Sequence, residues 1–284
     1  MATIQQTAQT IKQQLSGIYP EPEASAMVQQ VLEHVLKQNR VQLSLNQQQE
    51  VTTTQQKELQ TIADCLLKHE PLQYVLGVAH FYGLELQVNQ NVLIPRPETE
   101  ELVDLVIKEH RNQQNLKILD ICAGSGCIPI ALAENLNTEA VYGLEVSEEA
   151  LEVAKANAIK YKQSINWLHK DIFDEVQTLA PGSLDIITSN PPYVLEEEQQ
   201  QMRANVLEFE PHLALFVPDT DPLKFYKRIA IVGYSLLKQG GKLYFEINER
   251  YGNQTCEVLL QVGFTEAKVV QDLFGKDRMV RAVR

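Results

Sequence analysis

Residues 116–130 read Leu-Lys-Ile-Leu-Asp-Ile-Cys-Ala-Gly-Ser-Gly-Cys-Ile-Pro-Ile, and this stretch decides the fold. Ile118-Leu119-Asp120-Ile121-Cys122 is nearly continuous in apolar residues, the pattern of a strand covered on both faces. A glycine turn follows, and a helix is expected from Cys127. Outward from there the alternation continues. Strands are predicted over 141–146, 165–168, 184–189, 242–247, 267–270 and 279–283, with helices after Ser147 and over 222–237 and 254–262. Seven strands alternating with helices predict an α/β fold, a mostly parallel sheet with helices on both faces. The last two strands flank Gly275-Lys276-Asp277 and should form an antiparallel edge pair.

Upstream the period changes. Val28, Val31, Leu32, Val35 and Leu36 fall at helical spacing, and Leu59, Ile62, Ala63, Leu66 and Leu67 repeat it. Tyr19-Pro20-Glu21-Pro22 separates the first helix from the second. The region is rich in Gln, but two clean amphipathic stripes argue for a packed helical bundle. Phe81-Tyr82-Gly83-Leu84-Glu85-Leu86 alternates around a turn glycine, as a β-hairpin does. Pro95-Arg96-Pro97-Glu98-Thr99-Glu100 stops that segment and starts a helix, with proline in the first turn and acids at the positive end of the dipole. The chain therefore divides into a small helical domain over 1–72, a hairpin linker over 73–95 and the α/β domain over 96–284.

The net charge of −12 bears on partners. Proteins that grip nucleic acid draw most of their affinity from cations on phosphates, and the densest runs here are acidic, such as Glu196-Glu197-Glu198. No direct nucleic-acid contact is expected. No apolar run approaches the roughly 20 residues that span a bilayer, so no membrane contact is expected either. The Gln-rich start lacks a signal-type apolar core, which points to the cytoplasm. Cys65, Cys122, Cys127 and Cys256 show no metal-ligand spacing, so no metal is expected and the thiols should be reduced.

Four elements carry chemistry. Cys122-Ala123-Gly124-Ser125-Gly126 joins a strand to a helix, where missing Cβ atoms let a ligand approach the backbone. The same glycines would also serve an ordinary tight turn. With Pro129 in place of a third glycine, the loop is a poor dinucleotide fingerprint. Glu145 ends the next strand about 20 residues on, where a carboxylate takes ribose hydroxyls. Asp171-Ile172 follows the third strand; Asp171 suits an adenine amino group and Ile172 its ring, although a loop Asp has many uses. The fourth element is Asn190-Pro191-Pro192-Tyr193, at the end of the strand over 184–189. Two prolines fix the backbone so that its carbonyls point in set directions. Asn190 adds an amide acceptor and Tyr193 a flat aromatic face. Together they form a clamp for a planar –NH2 group, with two acceptors for two hydrogens.

Asn190-Pro191-Pro192-Tyr193 resembles the amino-group methyltransferases that act on glutamine, adenine or cytosine. Leu93-Ile94-Pro95-Arg96-Pro97-Glu98-Thr99-Glu100, His80-Phe81-Tyr82-Gly83 and Phe209-Glu210-Pro211 resemble the release-factor glutamine methyltransferases in particular. The likeness runs from the helical domain to the last strand. Enzymes that methylate a ribosomal-protein glutamine share Asn-Pro-Pro-Tyr but differ at the segment held here by Arg96-Pro97-Glu98-Thr99-Glu100. The resemblance implies a seven-stranded methyltransferase sheet and S-adenosylmethionine as cofactor. It implies a class-one peptide chain release factor as protein substrate, engaged by a monomer whose helical domain recognises it. Cys122, Ala123, Gly124, Ser125, Gly126, Glu145, Ile172 and Asn190 would line the cofactor site, joined by Asp171. Asn190 and the Pro191 carbonyl would hold the amide, with Pro192 and Tyr193 beside it. Two residues depart from the family pattern. Cys122 replaces the first loop glycine, tolerable if it sits in β geometry at the strand end, and Ile172 stands where some members have Trp.

Three functional classes follow. The leading one is methylation of a release-factor glutamine, with a ribosomal-protein glutamine as its near variant. A nucleic-acid adenine or cytosine amino-methyltransferase shares the clamp, but the acidic balance opposes it. A binding module on a degenerate scaffold is opposed by the intact clamp. The six histidines are scattered and read as surface or structural residues, so no general base is evident.

Overall fold

The glutamines of the N-terminal region close helix caps. In the computed structural model, which describes residues 2–174 and 179–284, five helices occupy this part: α1 (Ile4–Leu15), α2 (Glu21–Leu36), α3 (Arg40–Leu45), α4 (Thr53–Leu66) and α5 (Leu72–Leu76). Three of them start with a capping box in which Thr3, Asn39 or Thr52 bonds the amide of Gln6, Gln42 or Gln55, and that glutamine reaches back. Each box satisfies two helix-end amides that would otherwise lack a partner. Inward, Leu15, Val31, Leu59 and Leu66 are buried in one apolar cluster. This compact unit extends to Gly77 and also includes Arg203–Phe209.

The second unit covers Val78–Met202 and Glu210–Arg284. It opens with an antiparallel hairpin, β1 (Val78–Phe81) and β2 (Leu84–Gln87). Its turn residues Tyr82 and Gly83 have φ of 47° and 77°, the two positive values of a tight two-residue hairpin turn. Next come α6 (Pro97–His110), β3 (Leu116–Ile121), α7 (Cys127–Asn135), β4 (Thr138–Glu145), α8 (Glu148–Lys160), β5 (Ile165–His169), β6 (Leu184–Ser189) and the short β7 (Val194–Leu195). After α9 (Ala204–Leu207), which belongs to the first unit, follow β8 (Phe216–Val217), α10 (Lys224–Leu236), β9 (Leu237–Glu246), α11 (Gly252–Val262), β10 (Thr265–Gln271) and β11 (Asp277–Val283).

Seven strands form one sheet in the order β10-β11-β9-β6-β3-β4-β5. The strands from β5 to β9 are parallel, while β11 runs antiparallel to both β9 and β10. This is the predicted α/β sheet with its antiparallel edge pair. The chain starts at the centre with β3, steps out to β4 and β5, then crosses back to β6 on the other side of β3. Loops at the carboxyl ends of β3 and β6 therefore diverge, and a crevice opens between them.

The apolar run in β3 serves both faces. Leu116 and Ile118 pack with α6, α7 and the hairpin, whereas Leu119 and Ile121 pack with α10 and α11. Beside them in β4, Gly143 answers the chain's one tryptophan. A Cβ there would sit 2.3 Å from the Trp167 ring, so only glycine fits this strand position.

Candidate active site

The strand β3 stops at Ile121, and Cys122 has φ of 63°. This corrects the expectation that Cys122 keeps β geometry. It lies in the left-handed region where a Cβ crowds its own backbone, at a cost of roughly 1–3 kcal/mol. The strain explains why glycine is the natural occupant. The two glycines beyond it differ in purpose. Gly124 (φ 52°) faces open space, with no heavy atom within 4 Å of a would-be Cβ, and it lines the pocket. Gly126 (φ 79°) caps α7, and a Cβ there would meet Trp167 at 3.0 Å. Gly126 therefore serves the turn and its packing.

Glu145 stands beside that loop. Its Oε2 accepts from the Gly124 amide at 2.9 Å, and its Oε1 accepts from the Val146 and Ser147 amides at 2.8 and 3.0 Å. The buried carboxylate is thereby fixed at the pocket wall. Further along the same edge, Asp171 Oδ1 accepts from the Phe173 amide at 2.9 Å. Arg228 donates to the carbonyls of Ile172 (2.7 Å) and Asp174 (2.5 Å), which anchors the loop.

At the end of β6, Asn190 Nδ2 donates to Thr99 Oγ1 at 3.2 Å. Thr99 donates in turn to Glu246 Oε2 at 2.6 Å, and the Tyr193 hydroxyl donates to Glu246 Oε1 at 2.9 Å. Glu246, the last residue of β9, is 1% exposed. Burial raises its pKa, while the two hydroxyls and the Arg278 charge oppose the shift. Burial, then the charge of Glu246, holds the Tyr193 phenol well above its ordinary range, so it stays protonated. The other wall comes from two segments tied by Glu210. Its Oε2 accepts from the Ile94 amide at 3.1 Å, and its Oε1 pairs with Arg96 at 2.5 Å. Glu210 is buried, so the two motifs around Arg96 and Glu210 are physically one structure.

A pocket of about 250 Å³ lies between these elements. Of the residues singled out from sequence, Cys122, Ala123, Gly124, Ser125, Glu145, Asp171, Asn190 and Pro192 line it. Gly126, Ile172, Pro191 and Tyr193 do not. Ile172 is 3% exposed and packs in the core on the α10 face, while its neighbour Phe173 lines the pocket instead. Phe173 meets Phe225 edge-on with centroids 5.2 Å apart, and the Lys224 ammonium lies 4.6 Å from the Phe173 ring centre. Sequence reading missed Thr99, Phe173, Phe225 and Glu246. His110, by contrast, is buried against the Tyr244 hydroxyl at 2.8 Å and is structural. Among the described residues, no cluster of His, Cys, Asp and Glu is arranged to hold a metal, and no helix is long and apolar enough to cross a membrane.

A mostly parallel sheet in this order, with its antiparallel edge and its pocket at the carboxyl ends of the parallel strands, defines the class: a Rossmann-like methyltransferase. Family models agree, the PrmC N-terminal domain matching residues 6–77 and the methyltransferase small domain residues 99–209. The crystal structure of a methyltransferase from Pyrococcus furiosus shares the fold, covering 71% of this chain and 89% of its own at TM-score 0.53 and 18% identity. The release factor glutamine methyltransferase of Bacteroides thetaiotaomicron is 43% identical over 96% of this chain and 98% of its own length. That of Flavobacterium psychrophilum is 42% identical, covering 95% of each. The chain belongs to the release factor glutamine methyltransferase family.

Proposed function

We propose that the protein transfers a methyl group from S-adenosylmethionine to the side-chain amide nitrogen of a glutamine in a class-one peptide chain release factor. One observation carries this reading: Asn190 shares a single pocket with Gly124, Glu145 and Asp171, so an amide clamp adjoins a nucleoside-type site. The names of full-length relatives support the substrate.

The residues present fit the cofactor. Ser125 Oγ, on the pocket-lining glycine loop, is buried without a partner among the described residues, as a polar atom awaiting a ligand would be. Glu145 would take the ribose hydroxyls, Asp171 the adenine amino group, and Phe173 with Phe225 the faces of the ring. When bound, S-adenosylmethionine supplies a methyl on a sulfonium, whose departure is easy. The difficulty lies in the acceptor, because an amide nitrogen shares its lone pair with its carbonyl. Asn190 Oδ1 and the Pro191 carbonyl would accept its two hydrogens and concentrate electron density on nitrogen. The same bonds hold the nitrogen in line, and alignment is worth up to roughly 7–11 kcal/mol of barrier. Tyr193 and Pro192 would bound the amide plane. After transfer the nitrogen is cationic and loses its proton readily to water, so the chain needs no strong base.

The same reading makes the helical domain over 1–72 the grip on the factor, the segment over 73–95 a linker, and 96–284 the catalytic part. It also makes the protein a cytoplasmic monomer that does not bind nucleic acid directly, in keeping with its charge of −12. The test is a radiolabelled methyl-transfer assay against recombinant release factors and total RNA in parallel. Label on the factors alone is expected; label on RNA alone would overturn the reading.

A further inference from the structure

A side-chain amide is chemically two-faced. Turning it by half a revolution exchanges its oxygen and nitrogen with almost no change of shape. A clamp that must accept N–H bonds works only if Asn190 presents oxygen to the pocket, and the two prolines beside it do not decide which way the amide points. The decision is made at Glu246, which lies 56 positions further along the chain. Both of its oxygens are taken by hydroxyls, Thr99 at 2.6 Å and Tyr193 at 2.9 Å. A threonine hydroxyl owns one proton. With that proton given to Glu246, Thr99 Oγ1 retains only lone pairs toward Asn190, so the group facing it must be a donor. Nδ2 takes that place at 3.2 Å, and Oδ1 remains as the acceptor for a ligand.

We propose that Thr99 and Glu246 are positioning residues that lock the Asn190 amide with its oxygen toward the pocket, making the site selective for a ligand –NH2. This rests on the glutamine-amide reading given above. Glu246 does not line the pocket and acts through Thr99 and Tyr193; Thr99 borders the pocket but is 2% exposed, and its hydroxyl, held between Glu246 and Asn190, acts through Asn190. Glu246 also anchors the other end of the clamp. It holds the Tyr193 hydroxyl, while Asn248 Nδ2 donates to the Tyr193 carbonyl at 3.3 Å and the Tyr226 hydroxyl donates to the Glu246 carbonyl at 3.2 Å. One carboxylate thus sets both ends of Asn190-Pro191-Pro192-Tyr193.

The chain of donors makes a directional prediction. In Glu246→Gln the new amide can donate to Thr99, which frees the threonine proton to point at Asn190. The Asn190 amide then turns and offers –NH2 to an incoming –NH2. In Thr99→Val the acceptor for Nδ2 is gone and the orientation is no longer fixed, whereas Thr99→Ser keeps the hydroxyl.

The experiment uses full-length enzyme, S-adenosylmethionine and an intact class-one release factor, with steady-state kinetics and calorimetry of cofactor binding. Thr99→Val and Glu246→Gln should each lower kcat by about tenfold or more, with cofactor Kd within about twofold of wild type, while Thr99→Ser stays within about threefold of wild-type kcat. A Thr99→Val enzyme within about twofold of wild-type kcat overturns the proposal, as does a Thr99→Ser enzyme that fails equally. Should the valine variant not fold, Glu246→Gln decides by the same ratio. A wild-type enzyme that transfers no methyl to any release factor overturns the functional reading and this proposal with it. An active wild type with an unaffected valine variant overturns the proposal alone.

Discussion

Replacing Asn190 by alanine separates activity from stability, and the structure sets both magnitudes. Asn190 is half-buried, and among the described residues its side chain hydrogen-bonds Thr99 at 3.2 Å. Loss of that bond should cost about 1 kcal/mol of stability, the net worth of a neutral hydrogen bond. Thr99 keeps its bond to Glu246, so no buried group is stranded completely. For a chain of this size that corresponds to a fall in Tm of roughly 2–4 °C. Activity should suffer far more. The variant leaves one amide hydrogen unheld at the moment the nitrogen lone pair is needed. A single preorganised group at a reacting centre is worth about 10²–10³ in rate, or roughly 2.7–4 kcal/mol. The assay is single-turnover label transfer at saturating cofactor and factor, run beside thermal unfolding. A variant within twofold of the wild-type rate, or one whose rate loss merely tracks its unfolding, would refute the clamp.

Glu145→Ala should weaken S-adenosylmethionine binding by about 1.5–3 kcal/mol in calorimetry, the worth of hydrogen bonds to a charged group; unchanged affinity would remove Glu145 from the cofactor site. Burial pushes the Asp120 pKa up to about 8, well above the ordinary aspartate value of 3.8, with the Thr188 hydroxyl opposing the shift and the Glu145 charge adding to it. The folded state therefore holds a proton that the unfolded chain has lost, and the stability this contributes below about pH 4 disappears as pH rises toward 8. Relative to wild type, Asp120→Asn should gain stability across that window by up to about 1.4 kcal/mol per pH unit and level off above it. Parallel denaturant-melting curves for the two proteins at every pH would contradict the assignment. Gly143→Ala forces a methyl against Trp167 and should cost about 1–3 kcal/mol in urea unfolding.

The fold was legible because the chain advertises it locally. The buried run at β3, the glycine turns and the alternation of periods each depend on neighbours in sequence, so the mostly parallel sheet and its antiparallel edge could be inferred from them, while the strand order could not. The Tyr82-Gly83 turn was read the same way. The site was legible only where a motif sits on a strand end, as for Gly124, Glu145 and Asn190. What escaped depends on distance or on a single residue of phase. Thr99 and Glu246 are 147 positions apart and meet only through the sheet. Ile172 and Phe173 are adjacent, and the loop turned Ile172 into the core and Phe173 to the pocket. The positive φ of Cys122 has no signature in an otherwise apolar strand, because the turn begins two residues before the first glycine. The Gln-rich composition hinted at low complexity, whereas three of those glutamines close capping boxes.

The central claim is that the methyl goes to a glutamine nitrogen held by Asn190. Tandem mass spectrometry of an intact class-one release factor, after incubation with the enzyme and S-adenosylmethionine, tests it most directly. The account predicts one added methyl, on the side-chain nitrogen of a single glutamine, absent when the Asn190→Ala enzyme is used. A methyl on any other atom of the factor, or on an adenine of co-incubated RNA with the glutamine untouched, would contradict it.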